Sequence, residues 1–396
     1  MEEGTGIWLG AVLQRVVLVG TITCLLVPIA VSASTPVDKE QAIYGATGLP
    51  AFAFTAGTKR IDTHCHFIPP FYLDILRAKG LDSGGRAIPR WTSEDHIQIM
   101  DTLGVETSVV SISTPGVHLP GVDRDAARKL ARELNEYGHK ISVEYPGRFM
   151  FWATLTLPDV EGSVAEAIYA LDTLKAAGVV LFANHEGEYL GSKKFDPLMA
   201  VLNERDAVVF IHPNKVPLAP VPDTVEDEVV PEFVMDFLLD TTRASANLVL
   251  KNVTGRYPNI KFILSHSGGF LPFAAYRIGG ALSFLTREAA PKVMGSLQSF
   301  YVDTALSSSP AALPSTLAFV PNKQITFGSD FPFAPTFGIK IATSQLDGFT
   351  GLASDKKEWI NYHNADALLK KPLAHWRSAW EAAASSANQH EELYTC

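Results

Sequence analysis

Cysteine is scarce in this chain, with three residues among 396, at Cys24, Cys65 and Cys396. Three scattered thiols make no disulfide framework, so the fold has to be held by its core rather than by covalent staples. Charge is sparse as well: 19% of residues are charged, the formal net charge is -9, and no long run of Lys or Arg occurs. A nucleic-acid binder needs a concentrated basic surface to neutralise phosphates, and that class is excluded. Internal repeats and low-complexity blocks are missing too, which excludes solenoids and collagen-like or disordered chains. What remains is a composition that is 47% hydrophobic, in a chain long enough for one large α/β domain.

The first residues read as a leader. Val16 to Ala33 is an uncharged apolar stretch behind Arg15, close to the roughly 20 residues a transmembrane helix needs. It ends in Val31-Ser32-Ala33, a small-residue pattern of the kind cleaved by signal peptidase. A signal peptide or membrane anchor is therefore expected over residues 1–33, with membrane association through residues 16–33 and the secretory pathway as destination. A buried or interfacial helix on a cytosolic enzyme is the alternative. Residues 34–58 are small, polar and Gly-containing, and read as a connector.

From Arg60 onward, short β-branched apolar runs alternate with longer stretches of helical spacing. The runs are Arg60 to His64, Thr107 to Ser113, Phe149 to Leu155, Val179 to Ala183, Val208 to His212, Lys261 to His266, Phe300 to Thr304 and Gln324 to Ser329. Ser93 to Leu103, Arg124 to Glu144, Gly162 to Ala177, Pro197 to Arg205 and Glu232 to Tyr257 supply crossover helices. Eight strands separated by helices predict a single α/β domain, a closed parallel (β/α)8 TIM barrel over residues 59–370. Residues 371–396 read as a peripheral helical tail.

Polar residues collect where such a barrel does its chemistry, at the carboxyl ends of the strands. His64 and His66 stand two apart on strand one, so strand alternation turns both to one face, while Cys65 turns outward into the core. His212 ends strand five before Pro213, and Asp330 follows strand eight. Three imidazoles and one carboxylate suit a single divalent ion, zinc first and manganese second. Asp330 has a second reading as a helix N-cap before Phe331-Pro332. His266, in Ser265-His266-Ser267-Gly268-Gly269, serves either as a further ligand or as a general acid/base beside the ion.

These residues resemble a family, the aminocarboxymuconate semialdehyde decarboxylase-like branch of the amidohydrolase superfamily. The resemblance runs from about Arg60 to Leu369. It rests on His64-Cys65-His66, His212-Pro213, Ser265-His266-Ser267-Gly268-Gly269 with Leu271-Pro272-Phe273 and Arg277, Tyr301-Val302-Asp303-Thr304, and Gly328-Ser329-Asp330-Phe331-Pro332-Phe333. Within the branch, Asp240-Thr241-Thr242-Arg243-Ala244, Arg256-Tyr257-Pro258 and His212-Pro213-Asn214 are most similar to fungal 6-methylsalicylate decarboxylases.

The resemblance implies one metal on His64, His66, His212 and Asp330, with His266 as catalytic acid/base. It also implies a homodimer in which Arg277 helps hold the carboxylate of a small aromatic acid across the interface. Binuclear members carry a lysine at the end of strand four, where this chain has Ala183-Asn184-His185; His185 is a further pocket candidate. The aminocarboxymuconate enzymes have tryptophan after the His-Pro pair where this chain has Asn214, which points away from their substrate. Arg90 is the expected pocket arginine between strands one and two, with Arg86 the alternative. Phe333, with Phe67 and Phe71, is expected to form an apolar wall.

The reaction expected is loss of carbon dioxide from an ortho-hydroxybenzoate, 6-methylsalicylate giving m-cresol, with His266 or Asp330 delivering the proton. The competing readings are a metal-dependent hydrolase of an amide, ester or lactone, and a barrel that binds without catalysis. Asn252-Val253-Thr254 matches a glycosylation acceptor but falls within an expected helix.

Overall fold

The eight apolar runs become eight parallel strands in the computed structural model, which describes residues 54–55, 57–216 and 230–392, with side chains to residue 381. The leader expected over residues 1–33, and most of the connector, lie outside the described residues. The strands are β1 (Arg60–His66), β2 (Val105–Ser111), β3 (Phe149–Thr154), β4 (Gly178–Phe182), β5 (Val208–His212), β6 (Lys261–Leu264), β7 (Tyr301–Asp303) and β8 (Ile325–Thr326). They pair in that order, and a parallel bridge between Asp62 and Phe327 joins the two ends. The result is a nearly closed eight-stranded barrel with helices outside it, as expected for a (β/α)8 TIM barrel.

The longer helices are α1 (Pro70–Ala78), α2 (Ser93–Leu103), α3 (Arg124–Glu144), α4 (Val160–Asp172), α5 (Asp196–Glu204), α6 (Glu232–Leu250), α7 (Leu271–Thr286), α8 (Ala290–Leu297), α9 (Ala312–Phe319), α10 (Thr336–Gly348) and α11 (Lys370–Glu392). Their starts follow the sequence: Thr92, Asp123 and Asp159 each accept a backbone N–H from the first turn of α2, α3 and α4. The helix expected from Glu232 to Tyr257 is broken, because Asn252 adopts a left-handed φ of 51° between α6 and a short helix at Val253–Arg256. The acceptor Asn252 therefore sits at an exposed turn rather than inside a helix.

Strand alternation sorts the core into two layers. Ile61, Val109, Met150, Trp152, Val180, Phe210 and Ile263 fill the barrel. Cys65, Val110, Phe149, Phe151, Leu181, Val209 and Phe262 pack outward against the helices, so Cys65 is the core residue its position predicts. The tail is not peripheral along its whole length. Leu373 and Trp376 of α11 join the interior cluster at the amino-terminal rim, and Trp376 Nε1 donates to Lys175 O at 3.0 Å. The barrel floor is open to an apolar plug, and the amphipathic start of α11 fills it.

Between β1 and β8, the buried guanidinium of Arg60 reaches Asp347 Oδ1 of α10 at 2.6 Å and Asn361 Oδ1 at 3.2 Å. It also donates to Leu103 O. This pair fixes the first strand against the last helix of the ring.

Candidate active site and metal centre

At the carboxyl-terminal rim, β1 brings His64 and His66, β5 brings His212, and the turn after β8 brings Asp330. Ligand atoms of these four buried residues lie within 4.8 Å of one another, the one such group among the described residues. His64 Nδ1 donates to Asp303 Oδ2 at 2.7 Å and His212 Nδ1 donates to Pro213 O at 2.8 Å. His66 Nδ1 donates to Ser111, whose carbonyl and hydroxyl oxygens lie at 3.3 and 3.0 Å. These acceptors assign the Nδ1–H tautomer to all three rings and leave each Nε2 lone pair for the centre. Nε2 of His64 and of His66 lie 3.5 and 3.2 Å from Asp330 Oδ1, yet neither makes a hydrogen bond. Buried lone pairs left unpaired around a carboxylate fit a divalent ion, which would satisfy all of them at once.

The electrostatics agree with the donor set. Burial works against a charge on His64, but Asp303 and Asp330 overcome it and lift the ring to about 10, so cation and proton compete for one lone pair. Burial and the neighbouring rings of His66 and His64 hold His212 neutral, far below the ordinary histidine range. Burial pushes the Asp330 carboxyl up, yet contacts with His266, His64 and His66 hold it well below the usual carboxylate range.

His266 Nε2 faces Asp330 Oδ2 at 3.5 Å. The loop that aims it is strained: His266 and Ser267 have φ of 53° and 56°, and Asp330 has φ of 63°. Gly269, at φ of 66°, sits where any Cβ would overlap Leu238 O of α6, so this turn needs glycine to pass under the helix. A cavity of about 430 Å³ opens over the cluster, lined by His212, His266, Asp330, Arg86, Ser307, Phe233, Phe237 and Phe333 among others. A larger cavity of about 940 Å³ lies at the amino-terminal rim and contains none of these residues.

The geometry is that of a known family. The Amidohydrolase family model matches residues 61–371, and curated relatives cover most of the chain. The chain belongs to the amidohydrolase family. A decarboxylase of Aspergillus niger, yanB, is 36% identical over 79% of this chain and 88% of its own. The 6-methylsalicylic acid decarboxylase of Penicillium expansum is 35% identical over 73% and 90% of the two chains. The crystal structure of an amidohydrolase II superposes with a TM-score of 0.73 at 28% identity, covering 78% of this chain and 99% of that one.

Within this amidohydrolase, the expected site residues separate. His64, His66, His212, Asp330, His266 and Phe333 come together, with the Phe333 ring 5.3 Å from His66. Arg90 does not join them: it is exposed and does not line the cavity. Arg86 does, its Nε donating to Phe333 O at 3.1 Å, because the loop folds back at the reciprocal Ser83–Arg86 hydrogen bonds. Arg277 is exposed on α7, away from the cavity of its own chain. Phe67 is buried in the core, stacked on Tyr137, and Phe71 packs edge-on to the same ring. Phe233 and Phe237 of α6 provide the cavity wall instead. His185 stands apart from the cluster, in a two-residue hairpin pairing with Glu188.

The sequence reading missed Asp303 as a functional residue. Fully buried, it accepts from His64 Nδ1 and, through Oδ1, from the backbone N–H groups of His266 and Ala305 at 2.9 Å each. Its signal was an acid at the end of β7, the position at which the other strands deliver histidines.

Proposed function

We propose that this chain is a metal-dependent, nonoxidative decarboxylase of an ortho-hydroxybenzoate, with 6-methylsalicylate giving m-cresol and carbon dioxide. The observation that carries this reading is the buried ring of three Nε2 lone pairs around one carboxylate with His266 beside it. It occurs in a chain whose curated relatives at 34–36% identity are decarboxylases.

His64, His66, His212 and Asp330 would hold one divalent ion, zinc by preference for an imidazole-rich donor set, with manganese the alternative. Such an ion supplies a Lewis-acidic charge that draws electrons from the acid's carboxylate and neighbouring phenolate oxygens. His266, whose Nε2 lies 3.5 Å from Asp330 Oδ2, would carry the proton. The proton goes to the ring carbon that bears the carboxylate. The carbon–carbon bond then breaks, its electron pair restores the aromatic ring, and carbon dioxide departs neutral. Phe333, Phe233 and Phe237 hold the ring and keep water away, and Arg86 orients the anion through a charge-assisted contact.

Arg277 would reach a site only from a second copy, and the proposed enzyme is a homodimer in which it does so. In support, α7 leaves Phe273, Tyr276 and Phe284 at least 83% exposed, an apolar face of the kind that subunits cover. Residues 16–33 direct the chain to the secretory pathway or a membrane; fractionation of cells expressing the chain with and without residues 1–33 tests this. Among the described residues no helix is long and apolar enough to cross a membrane.

The metal-loaded enzyme incubated with 6-methylsalicylate is expected to release carbon dioxide and m-cresol. Inertness towards a set of hydroxybenzoates, alongside cleavage of a lactone, would replace this reading with the hydrolase.

A further inference from the structure

Behind His212 the hydrogen bonds continue past the carbonyl that orients its ring. His212 Nδ1 donates to Pro213 O at 2.8 Å. The other end of that same peptide, Asn214 N–H, donates to Asp240 Oδ2 at 2.9 Å. Pro213 C=O and Asn214 N–H belong to one resonance-stabilised unit, so a negative charge held against the N–H makes the carbonyl oxygen a stronger acceptor. Asp240 lies on α6 and is fully buried. It is no member of the ligand cluster and does not line the cavity above it.

The surroundings hold this arrangement in place. Asp240 Oδ1 and Oδ2 also accept from Asn184 Nδ2 at 3.0 and 3.1 Å, so both oxygens act as acceptors. Burial pushes the Asp240 carboxyl up, while the Asn214 N–H, Tyr189, Asn184 and Arg243 pull it back. The Asn214 side chain fixes the peptide from its other side: Oδ1 accepts from Thr114 Oγ1 at 2.5 Å and Nδ2 donates to Asn184 O at 3.1 Å. The peptide is thereby clamped between α6 and the loops that follow β2 and β4. Compared ring by ring, His64 has the Asp303 carboxylate directly behind it, His66 has Ser111, and His212 has a carbonyl with a carboxylate at its far end.

We propose that Asp240 is a positioning residue of the metal centre, acting on His212 through the Pro213–Asn214 peptide. It holds the ring in its Nδ1–H form with Nε2 left for the centre, as Asp303 does for His64 by direct contact. This rests on the metal-centre reading and adds a second carboxylate behind the ligands. A carboxylate behind a ligating imidazole raises its basicity, and here the effect is relayed through one peptide.

The test measures the zinc affinity of the full chain by competition against a chelator, together with the ring N–H resonances of the zinc-loaded protein labelled with nitrogen-15 histidine. Asp240→Asn is expected to weaken zinc binding by about tenfold and to move the His212 Nδ1–H resonance upfield while those of His64 and His66 stay in place. Asn184→Ala removes another partner of Asp240 but leaves the relay intact, and is expected to stay within about twofold of the parent. Zinc affinity of Asp240→Asn within about twofold of the parent, or an unmoved His212 resonance, would overturn the relay. Equal weakening by the two variants would overturn it too, since that marks a loop that is merely held. Should Asp240→Asn not fold, the parent decides. Its His212 resonance is expected downfield of that of His66, whose Ser111 acceptors are backed by no carboxylate, and the reverse order overturns the proposal. A parent that binds no zinc ends the metal-centre reading, and the same comparison of resonances in the unloaded chain then decides the relay.

Discussion

At the residue scale, His266 and Asp303 are the side chains whose roles can be separated by measurement. His266 touches Asp330 at 3.5 Å but is not needed to complete the four-residue cluster. His266→Ala is expected to lower kcat by at least about 10²-fold while metal content by mass spectrometry stays at one ion per chain; lost metal would make His266 a ligand instead. Asp303 acts through His64, fixing its tautomer and ring orientation, and it holds the His266 amide as well. Asp303→Asn is expected to weaken metal affinity by about 10–100-fold, read in a competition titration against a chelator. Unchanged affinity would confine Asp303 to packing. The four candidate ligands were legible because strand alternation and strand ends fix where a side chain goes. Asp303 was not, since an acid at a strand end reads equally well as a cap. Arg86 and Arg90 lie in a loop without periodicity, and only the Ser83–Arg86 turn decides which of them faces the cavity.

At the scale of elements, the ring of strands is closed between β8 and β1 by the bridge at Asp62 and Phe327 and by backbone hydrogen bonds from Thr63 N to Phe327 O at 3.0 Å and from Ser329 N to His64 O at 3.1 Å. The Arg60–Asp347 pair, with side chains 1% and 3% exposed, reinforces that seam. Removing one partner leaves the other charge buried without compensation, so Arg60→Ala is expected to cost about 3–5 kcal/mol in urea unfolding. A loss below about 1 kcal/mol, the range of an exposed pair, would mean that water reaches the seam. The sequence overextended β7 and β8, because Phe300 before β7 and Phe327 after β8 continue the apolar pattern beyond the ladder between these two strands. It also joined α6 to the short helix beyond Asn252, since no glycine or proline marks that turn. The eight runs themselves stood out because both faces of each barrel strand are covered, which demands continuous β-branched and aromatic residues.

At the scale of the whole molecule, chemistry and closure occupy opposite rims. The carboxyl-terminal rim carries the site, and α11 plugs the other rim with Leu373 and Trp376, a contact hidden from a sequence reading that found no strand for the tail to follow. The exposed face of α7 belongs to this scale too. Phe273→Asp is expected to convert the proposed dimer into monomers in sedimentation experiments and to lower kcat/KM in parallel, because Arg277 would leave the site. A fully active monomer would remove Arg277 from the reaction.

Trp152 lies inside the barrel beneath the cluster, its Nε1 donating to Thr63 O at 3.0 Å. Its ring stacks at 6.1 Å on Phe210, which in turn meets His64 at 4.9 Å. This places an indole two rings from the metal centre and sealed from water, a fluorophore the protein carries at no cost to its chemistry. Loading with manganese, whose unpaired electrons quench nearby emission, is expected to dim the buried, blue-shifted component, whereas diamagnetic zinc leaves it bright. The identity of the ion can therefore be followed by light in the intact enzyme.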